Sequence, residues 1–146
     1  MSGPASAGED LRRTIVASVD AERLVEVACS LVDTPSPTGS EQAMAERVRD
    51  ICEEMGLAVS WQEVEEGRPN VLATLAGTGG GHTLMFNGHM DTSYSGREPH
   101  LRGKAGFQPR ATVSDGLVWG LGIANMKGAI ACYLEALRAI QGAGVV

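Results

Sequence analysis

The sequence has no long run of basic residues. Its 12 lysine and arginine residues are outnumbered by 18 acidic residues, which gives a formal net charge of −6. Nucleic acids and anionic membranes are bound by clustered lysine and arginine side chains. We therefore expect neither a nucleic acid nor a membrane as a main partner.

Long apolar stretches and a secretory signal are also missing. No apolar stretch approaches the roughly 20 residues of a membrane span, and residues 1–10 lack the basic start and apolar run of a signal peptide. The three cysteines, Cys29, Cys52 and Cys132, lie far apart and form no disulfide framework or metal-binding pair. We interpret them as buried, reduced thiols of a cytoplasmic protein.

What is present is enough apolar sequence for a packed core, since hydrophobic residues make up 43% of the chain. After a flexible tail at residues 1–10, the spacing predicts a weak helix over residues 11–19. A firmer helix begins at the N-cap Asp20 and ends near Asp33, because two prolines follow. Its apolar face consists of Leu24, Val27, Ala28 and Leu31.

A further helix follows the loop Thr34-Pro35-Ser36-Pro37-Thr38-Gly39. Thr38 and Glu41 have the spacing of a capping box, in which each side chain caps a backbone N–H at the helix start. Gly56 supplies the C-terminal stop. The predicted buried face consists of Ala45, Val48, Ile51 and Met55.

The pattern then changes to that of strands. We predict strands over residues 57–64, 70–75 and 117–119, and a short strand over residues 83–86 that is buried on both faces. A long loop, residues 93–110, follows the buried strand. The last helix covers residues 126–140, with Ile130, Tyr133, Leu134 and Leu137 on its buried side. This order predicts an α/β fold with a mixed sheet flanked by helices.

The final residues favour a fold that is incomplete at its C-terminus. Gln141-Gly142-Ala143-Gly144 resembles a helix stop, and Val145-Val146 resembles the start of another strand. A strand that stops at its first residues leaves a sheet edge unpaired. We therefore interpret residues 11–146 as the truncated, N-terminal part of a longer domain.

The strongest chemical signal is the pair His89 and Asp91, directly after the predicted buried strand and Asn87-Gly88. Residues i and i+2 of an extended segment point to the same side. A neutral imidazole is a good zinc ligand, and a neighbouring carboxylate can orient it. The spacing alone is a weak motif and favours a surface histidine and a turn aspartate.

The second signal is Asn125, in a glycine-bearing turn over residues 120–128 that opens the last helix. Alone, Asn125 could be an ordinary N-cap, because asparagine is among the best capping residues. The GxG of this turn lacks the third glycine of a dinucleotide fingerprint, which argues against a nucleotide cofactor.

Together these segments resemble the acetylornithine deacetylase, succinyl-diaminopimelate desuccinylase and carboxypeptidase-G family of co-catalytic zinc hydrolases (peptidase family M-twenty). The resemblance rests on residues 33–41, 84–92 and 120–128. It implies a zinc-exopeptidase-like catalytic domain with two Zn²⁺ (or Co²⁺) ions, a homodimer, and hydrolysis of amide bonds in N-acyl amino acids or small peptides. It also implies that His89 is a metal ligand, that Asp91 is the catalytic aspartate that orients it, and that Asn125 occupies the place of the bridging aspartate.

Asn125 departs from that family pattern, because an amide carries no charge and coordinates only through its carbonyl oxygen. Two metal ions about 3.5–4 Å apart need a bridging charge, so we expect a mononuclear site or none. An inactive protein of the same fold is therefore the alternative function. A Rossmann-like binding module would explain the order of elements but not the matched segments.

Several other polar residues are expected to lie outside the site. We interpret His82 and His100 as exposed, and Glu63, Glu65 and Glu66 as a solvated acidic face. The resemblance assigns Lys127 and Gly128 to helix packing and capping. The loop 93–110 is expected to border the mouth of the site.

Overall fold

The computed structural model of the protein describes residues 4–144, which form four α-helices and two β-hairpins. The helices are α1 (Pro4–Ala17), α2 (Ala21–Val32), α3 (Gln42–Glu54) and α4 (Gly128–Gly142). The strands are β1 (Ala58–Glu65), β2 (Arg68–Thr74), β3 (Thr112–Ser114) and β4 (Leu117–Trp119). The predicted α/β class is confirmed. No helix within the described residues is long and apolar enough to cross a bilayer.

The core lies between α2, α3 and α4 and extends onto the β1–β2 hairpin. Helix α2 packs against α4, while α3 packs against both strands of the hairpin. The predicted apolar faces supply most of the buried side chains of the core cluster, which are Val27, Ala28, Leu31, Met44, Val48, Ile51, Cys52, Leu57, Ile130, Ala131 and Leu134. Four residues predicted on these apolar faces, Leu24, Met55, Tyr133 and Leu137, are only half-buried.

Helix α2 confirms both of its predicted ends. The Asp20 carboxylate accepts a hydrogen bond from the Arg23 N–H at 3.0 Å, which satisfies one of the free donors of the first turn. The helix ends at Val32, with Asp33 as the C-cap, because the residue before Pro35 is disfavoured in helical conformation.

Two helix starts differ from the prediction. Helix α1 begins at Pro4 and so occupies most of the predicted tail, because proline suits the first turn of a helix and the alanines that follow favour it. Residues 1–3 lie outside the described residues. Helix α3 begins at Gln42 without a side-chain cap, so the capping box predicted for Thr38 and Glu41 is wrong.

The strands pair locally rather than as one mixed sheet. β1 pairs antiparallel with β2, and β3 pairs antiparallel with β4. Strand β3 was not predicted, because three exposed residues give no periodic signal. Within residues 4–144 the parallel element is an isolated bridge between Pro37 and Thr92. Val145-Val146, predicted to start a further strand, lie outside the described residues.

The buried strand predicted over residues 83–86 is not formed in the structure. These residues form no regular secondary structure and belong to neither hairpin, and Leu84 and Met85 are 75% and 76% exposed. An apolar run becomes a buried strand only when neighbouring strands satisfy its backbone groups. Within residues 4–144 the strands pair among themselves, so the prediction of burial is wrong here.

Two of the three cysteines contradict their predicted burial. Cys52 is buried, Cys29 is half-buried and Cys132 is exposed. Burial raises the pKa of the Cys52 thiol to about 11. Cys132 lies on the outer face of α4, where the helical period turns it away from Ala131 and Leu134.

Gly120 is a position where a side chain cannot be accommodated. It has a φ of +150°, and a Cβ atom there would overlap the Val32 Cγ1 atom and lie 3.2 Å from the Arg110 carbonyl oxygen. We therefore expect Gly120→Ala to lower the free energy of unfolding by about 1–3 kcal/mol, the usual cost of overpacking. Urea denaturation measures this. Gly77→Ala is the control, because a Cβ atom there meets nothing within 4 Å, and equal stabilities of the two variants would contradict the prediction.

Candidate metal centre

His89 and Asp91 face each other in the irregular segment that precedes Thr92. The His89 Nδ1 atom lies 3.0 Å from the Asp91 Oδ1 atom and 3.1 Å from the Asp91 carbonyl oxygen. The i, i+2 spacing therefore brings both side chains to one side of the backbone, as the sequence predicted. A ring N–H donated from Nδ1 to the carboxylate leaves Nε2 directed away from Asp91.

Asn125 meets His89 from the other side. It lies in the turn Ile123–Lys127 that leads into α4, where its peptide bond to Met126 is cis. Its Oδ1 atom lies 3.0 Å from His89 Nε2. The three residues selected from the sequence are thus neighbours in the structure, although residues 90–124 separate the two segments. Asn125 makes no side-chain cap at the start of α4, so the N-cap alternative is wrong.

Gly88 allows the two segments to approach. A Cβ atom at this position would lie 2.8 Å from the Met126 Cε atom, so a larger residue would displace the methionine side chain from the place where it covers the backbone. The His89 N–H also faces the Met126 sulfur at 3.4 Å. Met126 therefore holds the turn that carries Asn125 against the segment that carries His89.

The surroundings of His89 favour its protonated form. The hydrogen bond with Asn125 raises the pKa of His89 most. Burial is the second-largest effect and opposes it, and the backbone and side chain of Asp91 then raise the pKa further, so that the net direction is upward. Because both ring nitrogens face oxygen acceptors, a ring that donates twice is preferred. A metal ion at Nε2 must therefore displace a proton as well as the Asn125 contact.

Thr38 is the member of the site that the sequence did not reveal. Its hydroxyl donates to the Asp91 Oδ2 atom at 2.6 Å, and this bond contributes most to lowering the pKa of Asp91. The spacing of Thr38 and Glu41 suggested a helix cap instead. No local pattern links a loop hydroxyl to a carboxylate that lies 53 positions further along the chain.

Lys127, at the start of α4, contacts the loop between α2 and α3 that also carries Thr38. Its side chain is buried, with 1% of the residue exposed, and its Nζ atom donates to the Thr34 carbonyl oxygen at 2.7 Å. Burial lowers the pKa of Lys127 to about 8. Its packing against the loop agrees with the structural role that the family resemblance implies.

A cleft of about 280 Å³ opens beside the His89–Asp91 pair. Its far wall carries Arg68, which pairs with Glu41 through both carboxylate oxygens at 3.0 Å and with Glu65 at 2.8 Å. That pairing lowers the pKa of Glu41. The cleft is lined by Glu41, Val64, Glu65, Arg68, Pro69, Asn70, Gly88, His89, Met90 and Asp91, which include no residue of the loop 93–110.

The remaining polar residues lie where they were predicted. His82 and His100 are exposed, and so are Glu63, Glu65 and Glu66. Glu65 is not simply solvated, because it pairs with Arg68.

The available donors fit one end of a metal site. His89 offers one imidazole nitrogen and Asn125 one amide oxygen, while Asp91 is turned toward Thr38 and the far side of the ring. Residues 4–144 contain no group of three histidine, cysteine, aspartate or glutamate side chains arranged to hold a metal ion. The donor set therefore suits part of the shell of one ion and lacks the charge required to bridge two.

Comparison with known proteins identifies the class. The sequence model of Peptidase family M20/M25/M40 matches residues 85–146, which include both segments of the site. The chain is 34% identical over 125 residues to the N-formyl-4-amino-5-aminomethyl-2-methylpyrimidine deformylase of Halalkalibacterium halodurans, covering 82% of this chain and 29% of that protein. It is 39% identical over 91 residues to the acetylornithine deacetylase of Aliivibrio fischeri, covering 62% of this chain and 22% of that protein.

A second acetylornithine deacetylase, from Proteus mirabilis, is 35% identical over 128 residues, with 80% of this chain and 31% of that protein covered. The chain belongs to peptidase family M20/M25/M40. It spans less than a third of the length of each of these three relatives.

Proposed function

We propose that the chain is part of a metal-dependent hydrolase that removes an acyl group from nitrogen in a small N-acyl amino acid or peptide. The observation that carries this proposal is the His89 ring, which is held by Asp91 at Nδ1 and directs Nε2 toward Asn125. Family membership supports the reaction class, and the deacetylase and deformylase relatives support an amide substrate.

In this proposal His89 Nε2 is a metal ligand and Asp91 is the catalytic carboxylate that fixes the ring. A carboxylate that accepts the other ring N–H selects the tautomer with a free Nε2 lone pair and makes that nitrogen more basic. Asn125 offers a second, neutral oxygen. A divalent ion such as Zn²⁺ or Co²⁺, when bound, supplies Lewis acidity for the substrate carbonyl and lowers the pKa of a bound water.

The cleft beside His89 suits a small substrate rather than a macromolecule. Its volume of about 280 Å³ lies just below the range of small-molecule pockets, which begins at roughly 300 Å³. No residue of α4 lines it. We propose this cleft as the approach of the substrate to the site.

The second candidate is a protein of the same fold that does not catalyse the reaction. Asn125 favours it, because a neutral amide contacts His89 Nε2 directly at the place where the resemblance requires a bridging carboxylate. Homodimerisation, a cytoplasmic location and the lack of nucleic-acid and membrane partners also stay predictions.

Hydrolysis assays distinguish the two candidates. The gene product that contains residues 1–146 would be loaded with Zn²⁺ or Co²⁺ and incubated with N-acetyl and N-formyl amino acids, with release of the free amine as the readout. We expect metal-dependent hydrolysis, and about a 10–100-fold loss in Asp91→Asn, the usual effect of changing a residue that orients a metal ligand. Asp50→Asn, on the surface of α3, is the control.

Two results would reject the hydrolase. One is the absence of amine release from both substrate classes by protein that retains bound metal. The other is hydrolysis that continues unchanged in the Asp91→Asn variant. The first result would favour the second candidate, a protein of the same fold that does not catalyse the reaction.

A further inference from the structure

The loop between α2 and α3 is joined to the segment that carries Asp91. The Ser36 hydroxyl donates to the Met90 carbonyl at 2.7 Å, and the Thr92 N–H donates to the Ser36 carbonyl at 2.8 Å. The Thr38 N–H donates to the Thr92 carbonyl at 3.1 Å. These three bonds bracket Asp91, and both Ser36 and Thr92 are buried.

The Thr38 hydroxyl is not required to close this loop. The backbone N–H of Thr38 already pairs with Thr92, whose carbonyl lies 3.4 Å from the hydroxyl, beyond a good O–H···O distance. The hydroxyl instead lies 2.6 Å from Asp91 Oδ2. A hydroxyl donated to a carboxylate at such a distance is among the stronger hydrogen bonds in proteins.

The two oxygens of Asp91 therefore have different partners. Oδ2 accepts from Thr38, and Oδ1 faces His89 Nδ1. Rotation of the carboxylate about its Cβ–Cγ bond would break both contacts together. Thr38 thus restricts the orientation of Asp91, and Asp91 in turn restricts the His89 ring.

We propose that Thr38 is a positioning residue, whose hydroxyl locks Asp91 so that Asp91 holds the His89 ring with Nε2 free for the site. The inference rests on the proposed function in one respect, namely that His89 is a metal ligand and Asp91 orients its ring. The hydrogen bonds between the α2–α3 loop and residues 90–92 position the Thr38 hydroxyl. The hydroxyl acts on His89 only through Asp91.

The test compares Thr38→Val with Thr38→Ser. Valine keeps the shape of threonine and removes the donor, while serine keeps the donor. Long-range ¹H–¹⁵N spectra of the metal-free chain, at a pH where the ring is neutral, report which nitrogen of His89 carries the proton. We expect Nδ1–H in the wild type and in Thr38→Ser, and a several-fold rise of the Nε2–H form in Thr38→Val.

Co²⁺ titration gives a second readout, in which we expect Thr38→Val to bind about 10–100-fold more weakly than Thr38→Ser. Thr34→Val is the matched control, because the Thr34 hydroxyl lies in the same loop but donates to the Ser30 carbonyl. A folded Thr38→Val variant with wild-type tautomers and wild-type Co²⁺ affinity would overturn the inference.

The tautomer readout separates this inference from the proposed function, since it requires neither metal nor substrate. If the wild type hydrolyses no amide but its tautomers respond to Thr38→Val, the hydrolase is rejected and the positioning role is supported. Should Thr38→Val not fold, the wild type itself decides. Its neutral His89 ring must then carry the proton mainly on Nδ1, and a dominant Nε2–H form would contradict the role.

Discussion

Asn125→Asp is expected to strengthen binding of Co²⁺ and Zn²⁺ by about 10–100-fold, a change of the size produced by altering groups around a metal ligand. The Asn125 Oδ1 atom already lies 3.0 Å from His89 Nε2. The substitution therefore places a negative charge next to an ion that both side chains would share. The side chain keeps its size and gains a second coordinating oxygen. Geometry is thus conserved and charge is the variable.

Isothermal titration at pH 8 measures this change, with Gln62→Glu as the control. Gln62 is exposed on β1 and does not line the cleft beside His89, so its replacement adds the same charge to the chain outside the site. Wild-type affinity in Asn125→Asp would show that Asn125 is not a ligand. Equal gains in both variants would reduce the effect to general electrostatic attraction.

The gain is expected to shrink as the pH falls toward 6. A carboxylate at position 125 also stabilises the protonated ring, so it raises the pKa of His89 above a value that Asn125 has already raised. Protons then compete more strongly with the metal ion for Nε2. A ratio of affinities that stays constant between pH 8 and pH 6 would mean that Nε2 is not the coordinating atom.

The parts of this fold that depend on neighbouring residues could be predicted from the sequence, and the parts that depend on distant residues could not. The faces of α2 and α3 were predictable, because helical period and burial coincide at Val27, Leu31, Val48 and Ile51. The cap at Asp20 and the stop before Pro35 are set by neighbouring residues. The prediction of a buried strand at residues 83–86 was wrong, because burial depends on partner strands that the local sequence does not specify.

The site divides in the same way. His89 and Asp91 are two residues apart and were found by spacing, and Asn125 was found through the resemblance of its segment. Thr38 was assigned to a helix cap, because its partner lies far along the chain and only tertiary structure brings them together. The sequence therefore predicted His89, Asp91 and Asn125, but it did not reveal that Thr38 holds Asp91.

The second large effect concerns stability, and it arises from Lys127. Burial lowers the pKa of this side chain to about 8, from an ordinary value of 10.5. Between these two pH values the unfolded chain binds more protons than the folded one, so the free energy of unfolding rises with pH. The shift corresponds to roughly 3 kcal/mol gained between pH 7 and pH 11.

The wild-type curve alone would conceal part of this gain. The buried Cys52 thiol has its pKa raised from 9.0 to about 11. Over that interval the folded chain keeps a proton that the unfolded chain has released, so this group makes stability fall as the pH rises. The two effects oppose each other where their pH ranges overlap, between about pH 9 and pH 10.5, and the raised pKa of Cys29 acts in the same direction as that of Cys52. The wild-type profile therefore shows less than the full gain from Lys127.

Lys127→Met separates the two effects. Methionine fills much of the same space without a titrating group, and every other titration, including that of Cys52, is common to both proteins. We therefore expect the stability of the wild type, minus that of Lys127→Met, to rise by roughly 3 kcal/mol between pH 7 and pH 11. Urea denaturation of metal-free protein, repeated across this range under reducing conditions, measures the difference.

The chain's other lysine supplies the control. Lys104 is exposed, and its ammonium group is in water in both states, so the corresponding difference for Lys104→Met is expected to be flat. A flat difference for Lys127→Met as well would mean that the hydrogen bond from Nζ to the Thr34 carbonyl holds the ammonium form as well as water does. In that case the contact between the loop and α4 would be an ion–dipole bond at every physiological pH, and burial of Lys127 would carry no pH-dependent penalty.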